Sequence, residues 1–356
     1  MKLLILPGDG IGPDIAEATN TVLKALDERF GLGLELTERV VGLAAHAETG
    51  QTIPDEVFEL CDQVDGVVLG PADTAVYPPP EQGGVNPSAE FRRRFDLFAN
   101  ICPSRSRAGT DAMADNMDLV IVRENTEGFY ADRNMAVGSG EFMPTPDLAL
   151  AVRKITREGS ARIGLVAAQL AARRRGKLTI VTKSNVLKLS DGLFRDAVRD
   201  AAAAVPGLEI DEVHVDAMAS YLVRTPEAFD VVVTTNMFGD ILSNEAAEIS
   251  GGLGLAASLN AGHERAVAQA GHGSAPDIAG QGKANPTALI QSAAMLLDWL
   301  GEHHQRSDLR EAARAADAAV DQALRAASTR TIDLGGSLST GEMGAVVAQA
   351  AKQVEV

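Results

Sequence analysis

Five short apolar runs recur along the chain with helix-patterned stretches between them, and this alternation constrains the fold more than any other feature. The runs at residues 3–6, 66–69, 119–122, 178–181 and 231–234 are rich in Val, Ile and Leu and read as buried strands. Helical patterns fall at 161–174, 191–204 and 240–249. Alternation of this kind predicts an α/β architecture with much parallel or mixed sheet. At 356 residues the chain exceeds one simple core, so two joined α/β domains are expected. Aromatics make up only 4% of the sequence, so that core must be built from Ala, Val, Leu and Ile.

The first strand runs into Gly8, Asp9, Gly10, Ile11, Gly12 and Pro13, with a helix starting near Asp14. The spacing is not that of a Rossmann fingerprint, because the third glycine is misplaced. A strand-to-helix turn close to a ligand is the better reading. Residues 77–84 form a long Pro-rich loop, and residues 131–146 lack periodicity and suit an exposed arm.

A net charge of −17 argues against nucleic acid and anionic membrane surfaces as partners. Cys61 and Cys102 make neither a disulfide framework nor a metal motif, which fits a reducing cytoplasm. The opening apolar run is too short for a signal peptide, and no later stretch approaches a membrane span.

Chemistry concentrates in two places. The stretch His272, Gly273, Ser274, Ala275, Pro276, Asp277, Ile278, followed by Asn285 and Pro286, suits an adenosine. An imidazole can lie along the base, and the Asp277 carboxylate can accept from a ribose diol. That carboxylate would repel a 2′-phosphate, which favours NAD over NADP. A Gly/Pro surface turn with incidental polar residues is the plain alternative. Asp240 and Asn244 lie four apart on one helical face, and with Asp216 they form an oxygen-only set suited to Mg²⁺ or Mn²⁺. Capping residues at a helix start are the rival reading.

These segments come in order with Phe91–Arg94, residues 122–130 and residues 182–186, and together they resemble the β-decarboxylating dehydrogenases from residue 1 to about residue 300. That family includes the isocitrate, 3-isopropylmalate, homoisocitrate and tartrate/D-malate enzymes. The resemblance implies an isopropylmalate/isocitrate dehydrogenase-like fold of two α/β domains. One would comprise residues 1–98 and 251–356 and bind NAD. The other, residues 99–250, would carry the arm at about 131–146 and support a homodimer. It further implies that Arg92 and Arg123 hold substrate carboxylates, that Tyr130 and Lys183 handle protons, and that Asp216 and Asp240 hold the metal. Lys183 and Asp216 would enter the site from the neighbouring subunit, and His272, Asp277 and Asn285 would bind the adenosine with Ile278 alongside. Asn185 belongs to the substrate set.

Three positions depart from the family pattern. Cys102 stands where a carboxylate-binding arginine is usual, Asn244 where a third acidic metal-site residue is usual, and Gln269, Ala270 and Gly271 where Glu-Pro is common. The substrate loop carries Asn86 and Ser88 in place of leucines, so an isopropyl group would gain little apolar burial. The expected activity is therefore NAD- and metal-dependent oxidative decarboxylation of a 3-substituted malate, isocitrate-like or 3-isopropylmalate-like. The alternatives are a non-catalytic regulatory subunit of the same fold and a tartrate/D-malate-type dehydrogenase.

Overall fold

The computed structural model describes residues 1–130 and 140–355. Its first part runs β1 (Lys2–Leu6), α1 (Gly12–Phe30), β2 (Glu35–Glu38), α2 (Leu43–Thr49), α3 (Asp55–Cys61), β3 (Gly66–Leu69) and α4 (Pro87–Arg94). The middle contributes β4 (Ala99–Arg105), β5 (Asp118–Glu124), a hairpin of β6 (Glu141–Thr145) and β7 (Leu148–Ala151), and α5 (Arg157–Ala172). It continues with β8 (Lys177–Thr182), α6 (Ser190–Ala202), β9 (Glu209–His214), α7 (Val215–Arg224), β10 (Val231–Thr234) and α8 (Asn236–Ser250). The last part adds β11 (Leu259–Ala261), β12 (Ala266–Gln269), α9 (Thr287–His303), α10 (Ser307–Leu324) and α11 (Thr340–Ala351).

Ten of these strands form one sheet in the order β2-β1-β3-β12-β11-β4-β5-β10-β8-β9. Strands β2, β1, β3 and β12 pair in parallel, as do β5, β10, β8 and β9. The antiparallel pairings β12–β11, β11–β4 and β4–β5 join the two sets, which therefore run in opposite senses. One set draws its strands from both chain ends and the other from the middle. This order is not the all-parallel arrangement of a Rossmann sheet.

Successive side chains of a strand point to opposite faces, and both faces here are covered. Leu3 and Ile5 of β1 enter a core with the Ala-rich helices α1, α9, α10 and α11, whereas Leu4 and Leu6 pack with Val57, Cys61 and Phe91. Val231 and Val233 of β10 face α5 and α6, while Val232 faces α7 and α8. That two-sided burial is why these strands read as unbroken apolar runs.

All five predicted strands are present, with β5 and β8 extending beyond the predicted limits at both ends. The predicted helices start earlier than expected: α5 at Arg157, and α8 at Asn236 rather than 240. Asp240 and Asn244 consequently sit one and two turns inside α8, so neither caps its start. The Pro-rich loop follows one 3₁₀ turn, Thr74–Val76, and contains another, Pro80–Gln82, and Tyr77 within it donates to Asp9 at 2.5 Å. Of the predicted arm, residues 131–139 lie outside the described residues. Residues Glu141–Thr145 form an exposed strand whose Phe142 and Met143 face solvent.

Candidate active site

A cavity of about 220 Å³ opens between α4, β4, β5, α8 and the turn after β12. Arg92, Cys102, Arg123, Asp240, Asn244 and His272 all line it. Its size suits a small molecule rather than a polymer.

Arg123 is only 5% exposed and is held by α8. Its Nε and Nη2 donate to Asn236 Oδ1 at 3.0 and 2.6 Å, and its Nη1 pairs with Asp240. This approach depends on Gly239, where an added Cβ would come within 2.6 Å of the Arg123 side chain. Tyr130 lies beside the same guanidinium, 5.9 Å from its carbon to the ring centre. Asn244 donates its amide to the Asp240 carbonyl at 2.8 Å, one turn back along α8.

Asn100, Cys102 and Ser104 alternate along β4 and all reach the cavity. The Cys102 thiol, buried beside Arg123, Ser243 and Arg92, has its pKa pushed up to about 11, because desolvation outweighs the pull of the two arginines. It is a neutral thiol donating to Asn100 Oδ1 at 3.2 Å. Asn100 in turn donates to Asn260 at 3.2 Å, and Asn260 also accepts from Asn125 at 3.0 Å. On the opposite wall Asn86 caps α4, accepting from the Ala89 amide at 3.3 Å, and Ser88 donates to Gln269 Oε1 at 2.9 Å. Cys102, Asn244 and Gln269, the three places read above as departures from the family pattern, thus line one cavity.

The turn 272–280 continues this wall. Gly10, at φ +59°, lies so close to the Ser274 carbonyl that an added Cβ would come within 1.9 Å of it, and the Ile11 amide donates to that oxygen at 2.8 Å. The glycine turn after β1 therefore braces the loop predicted to hold adenosine. Ala275 takes a left-handed φ of +39°, an unfavourable backbone for a residue with a Cβ. Asp277 is exposed in the 3₁₀ turn Pro276–Ile278, and Ile278 packs against the core. Gly273 lines the cavity, while Ser274 is buried. Asn285 is drawn inward: its amide donates to Asp333 at 3.0 Å and its oxygen accepts from the Thr287 amide at 3.0 Å.

His272 carries the chemistry of this turn that is open to a ligand. Burial holds its imidazole pKa below the ordinary 6.5, against the opposing effects of the Gly273 carbonyl and Asp333. Its Nδ1 meets the Gly273 carbonyl at 3.0 Å, and its buried Nε2 has no protein partner. An orphaned ring nitrogen beside a glycine-rich turn is what a bound base would satisfy.

Lys183, Asn185 and Asp216 do not line this cavity. Lys183 Nζ pairs with Asp216 Oδ1 at 2.6 Å, which holds the exposed Asp216 below the usual carboxylate range. Asn185 is exposed on the same turn as Lys183. The donors Asp240 and Asn244 have the hard-oxygen chemistry of a Mg²⁺ or Mn²⁺ site, but a single chain does not complete one. Among the described residues, no three His, Cys, Asp or Glu side chains gather as a metal set.

Sequence reasoning missed Asn236, Ser243, Asn100 and Ser104 as parts of the site. The i, i+2, i+4 polar pattern of β4 and the i, i+3, i+4 pattern of Asp240, Ser243 and Asn244 were the available signals.

The isocitrate/isopropylmalate dehydrogenase family matches residues 2–347, and the chain belongs to it. Over 350 residues it is 40% identical to 3-isopropylmalate dehydrogenase of Methanothermobacter thermautotrophicus, covering 98% of each chain. Over 354 residues it is 41% identical to the isocitrate/homoisocitrate dehydrogenase of Thermus thermophilus, covering 99% of each. Its fold is similar to isocitrate dehydrogenase from Methylococcus capsulatus, with a TM-score of 0.86, 37% identity and 99% of each chain covered. The fold is thus isocitrate dehydrogenase-like, and the relatives are dehydrogenases. No helix among the described residues is long and apolar enough to cross a membrane.

Proposed function

We propose that this protein is a cytoplasmic NAD- and divalent-metal-dependent dehydrogenase that oxidises and decarboxylates a 3-substituted malate. The observation that carries the reading is the meeting of Arg92, Arg123, Asp240 and His272 in one cavity. NAD would accept the hydride, and Mg²⁺ or Mn²⁺ would act as a Lewis acid on substrate oxygens. Arg92 and Arg123 grip the substrate carboxylates with paired N–H donors. Asp240 and Asn244 offer metal ligands, and Asp216 completes the set from a second copy. Lys183 takes up the hydroxyl proton and Tyr130 returns a proton to carbon after CO₂ departs. Asp277 receives the adenosine ribose, with His272, Gly273, Ser274, Ala275, Ile278 and Asn285 shaping the pocket.

The same reading makes the protein a homodimer. Support comes from the exposed Val186, Leu189, Val223 and Ile241, apolar residues on the segments that carry Lys183, Asp216 and Asp240. It takes residues 1–98 with 251–356 as one domain and 99–250 as the other. Asn86, Ser88 and Asn185 form the substituent pocket, and their polarity favours an isocitrate-like group over an isopropyl one.

The test is a panel of isocitrate, homoisocitrate, 3-isopropylmalate, D-malate and tartrate with NAD and Mn²⁺. One CO₂ per NADH, fastest on a polar substituent, is the expected result. NADH without CO₂ would point to a tartrate-type dehydrogenation. No turnover would favour a regulatory subunit, a reading supported by the neutral Cys102 in the cavity.

A further inference from the structure

One buried ion pair contacts the segments that bear Tyr130, Lys183 and Asp240. Arg153 and Asp191 pair with side chains 8% and 0% exposed. The second Asp191 oxygen accepts the backbone N–H of Lys183 at 2.5 Å. Arg153 Nη2 donates to Thr235 at 3.0 Å, immediately before α8 and its Asp240, and Nη1 also reaches Ser190 at 3.2 Å. Its guanidinium lies over Phe129, next to Tyr130, at 5.7 Å, and over Phe238 of α8 at 5.2 Å. The adjoining Lys154 exchanges backbone hydrogen bonds with Gly128 at 2.7 and 3.1 Å. Three segments that are distant in sequence therefore share one guanidinium.

We propose that the Arg153–Asp191 pair is a positioning device that fixes the turn carrying Lys183, which serves the neighbouring subunit's site, relative to Tyr130 and Asp240 of this chain's own site. This rests on the roles proposed above for those three residues. Asp191 fixes the Lys183 backbone, and Arg153 ties that backbone to the Phe129–Tyr130 turn and to the start of α8. A planar fork with several donors and a stacking face meets all these partners at once, which a lysine cannot do. Small displacements of reacting groups cost large factors in rate, so the pair should act on turnover more than on binding.

The test compares Asp191→Asn and Arg153→Lys with Arg174→Lys. Arg174 pairs with the buried Asp230, at the opposite end of β10 and away from the cavity. On the best substrate from the panel, Asp191→Asn should lower kcat by about tenfold to a hundredfold and move its pH profile, with KM changed by less than about threefold. Arg153→Lys should fall between it and wild type. Arg174→Lys should lower thermal stability while keeping kcat per folded molecule. Equal kcat losses in all three variants, or losses that track stability alone, would overturn the proposal.

A second measurement does not depend on turnover. After reductive ¹³C-methylation, the Lys183 resonance should move in Asp191→Asn and stay in place in Arg174→Lys. An unmoved resonance in Asp191→Asn would overturn the proposal even if no substrate were ever found. A moved resonance in a protein inactive on the whole panel would leave the positioning standing and reject the catalytic reading alone.

Discussion

Two arginine sites flank β4 and its neighbour strand, and they differ in the groups that hold the guanidinium. Arg105 and Arg107, at and just beyond the end of β4, meet Asp317 and Asp321 of α10. Arg105 reaches both carboxylates at 2.9 and 2.7 Å, and Arg107 reaches Asp317 at 2.6 Å as well as pairing with Asp321. Burial works to raise the Asp317 pKa, but Arg107 and Arg105 together hold it below the usual range. Two cations face two carboxylates, and the cluster fastens a middle strand to a C-terminal helix. In the cavity, Arg123 is held by the neutral Asn236 oxygen as well as by Asp240, whose side chain is 41% exposed. A guanidinium held partly by a neutral amide stays a cation at the cavity wall, in a chain of net −17 where an anionic substrate would otherwise meet repulsion. The closed cluster holds the frame, whereas Arg123 opens on the cavity where a ligand can meet it.

Exchanging one arginine at each site breaks the comparison most sharply. Arg123→Met should cut kcat/KM by about 10²–10³, from two charge-assisted hydrogen bonds of roughly 1.5–3 kcal/mol each, only part of which is recovered by solvent. Arg107→Met should instead lower stability by about 1–3 kcal/mol and spare turnover per folded molecule. Urea unfolding and steady-state kinetics on the same samples would distinguish the two. Equal effects on kcat/KM would remove the distinction.

The next effect is on coenzyme choice. NAD should outperform NADP by roughly a hundredfold in kcat/KM, and Asp277→Ala should narrow that gap by relieving repulsion of the 2′-phosphate. Equal wild-type rates with both coenzymes would discard the role given to Asp277.

Cys102→Arg sharpens the comparison by adding a third cation to the cavity. It should raise kcat/KM on isocitrate by about tenfold, the worth of one charge-assisted hydrogen bond. No gain would mean that the neutral wall formed by Asn100, Ser104, Ser88 and Gln269 has reshaped the pocket as a whole.

The smallest effect concerns pH. The unfolded chain protonates His272 near 6.5, while burial lowers its pKa in the fold. Between those values the unfolded state binds more protons, so stability falls as pH drops below 6.5 and recovers above it. His272→Gln should flatten this part of the stability–pH curve in thermal melts from pH 5 to 7. An unchanged slope would show that His272 is not its source.

Legibility in the sequence followed burial. Strands β1, β3 and β10 are covered on both faces and so appear as apolar runs. Strand β9, written Glu-Ile-Asp-Glu-Val-His, lies at the sheet edge with half-exposed residues and carries no such run. Strand β4 was hidden by Pro103 and by the polar residues it turns toward the cavity. In the site, Arg92, Arg123, Asp240, Asn244 and His272 were all named from sequence and do line one cavity. Sequence spacing did not show that the Asn285 side chain bonds Asp333 and the start of α9.

The sequence alone determined the α/β alternation and the family, because each is a local pattern of residue kind and spacing. Only the tertiary structure decided that Ser88 bonds Gln269 from 181 positions away, that Asn236 clamps Arg123, and that Arg153 joins Asp191 to the Lys183 backbone. Those contacts arise where strands from both chain ends meet strands from the middle. Residues remote in sequence become neighbours there only through sheet order, which no local spacing encodes.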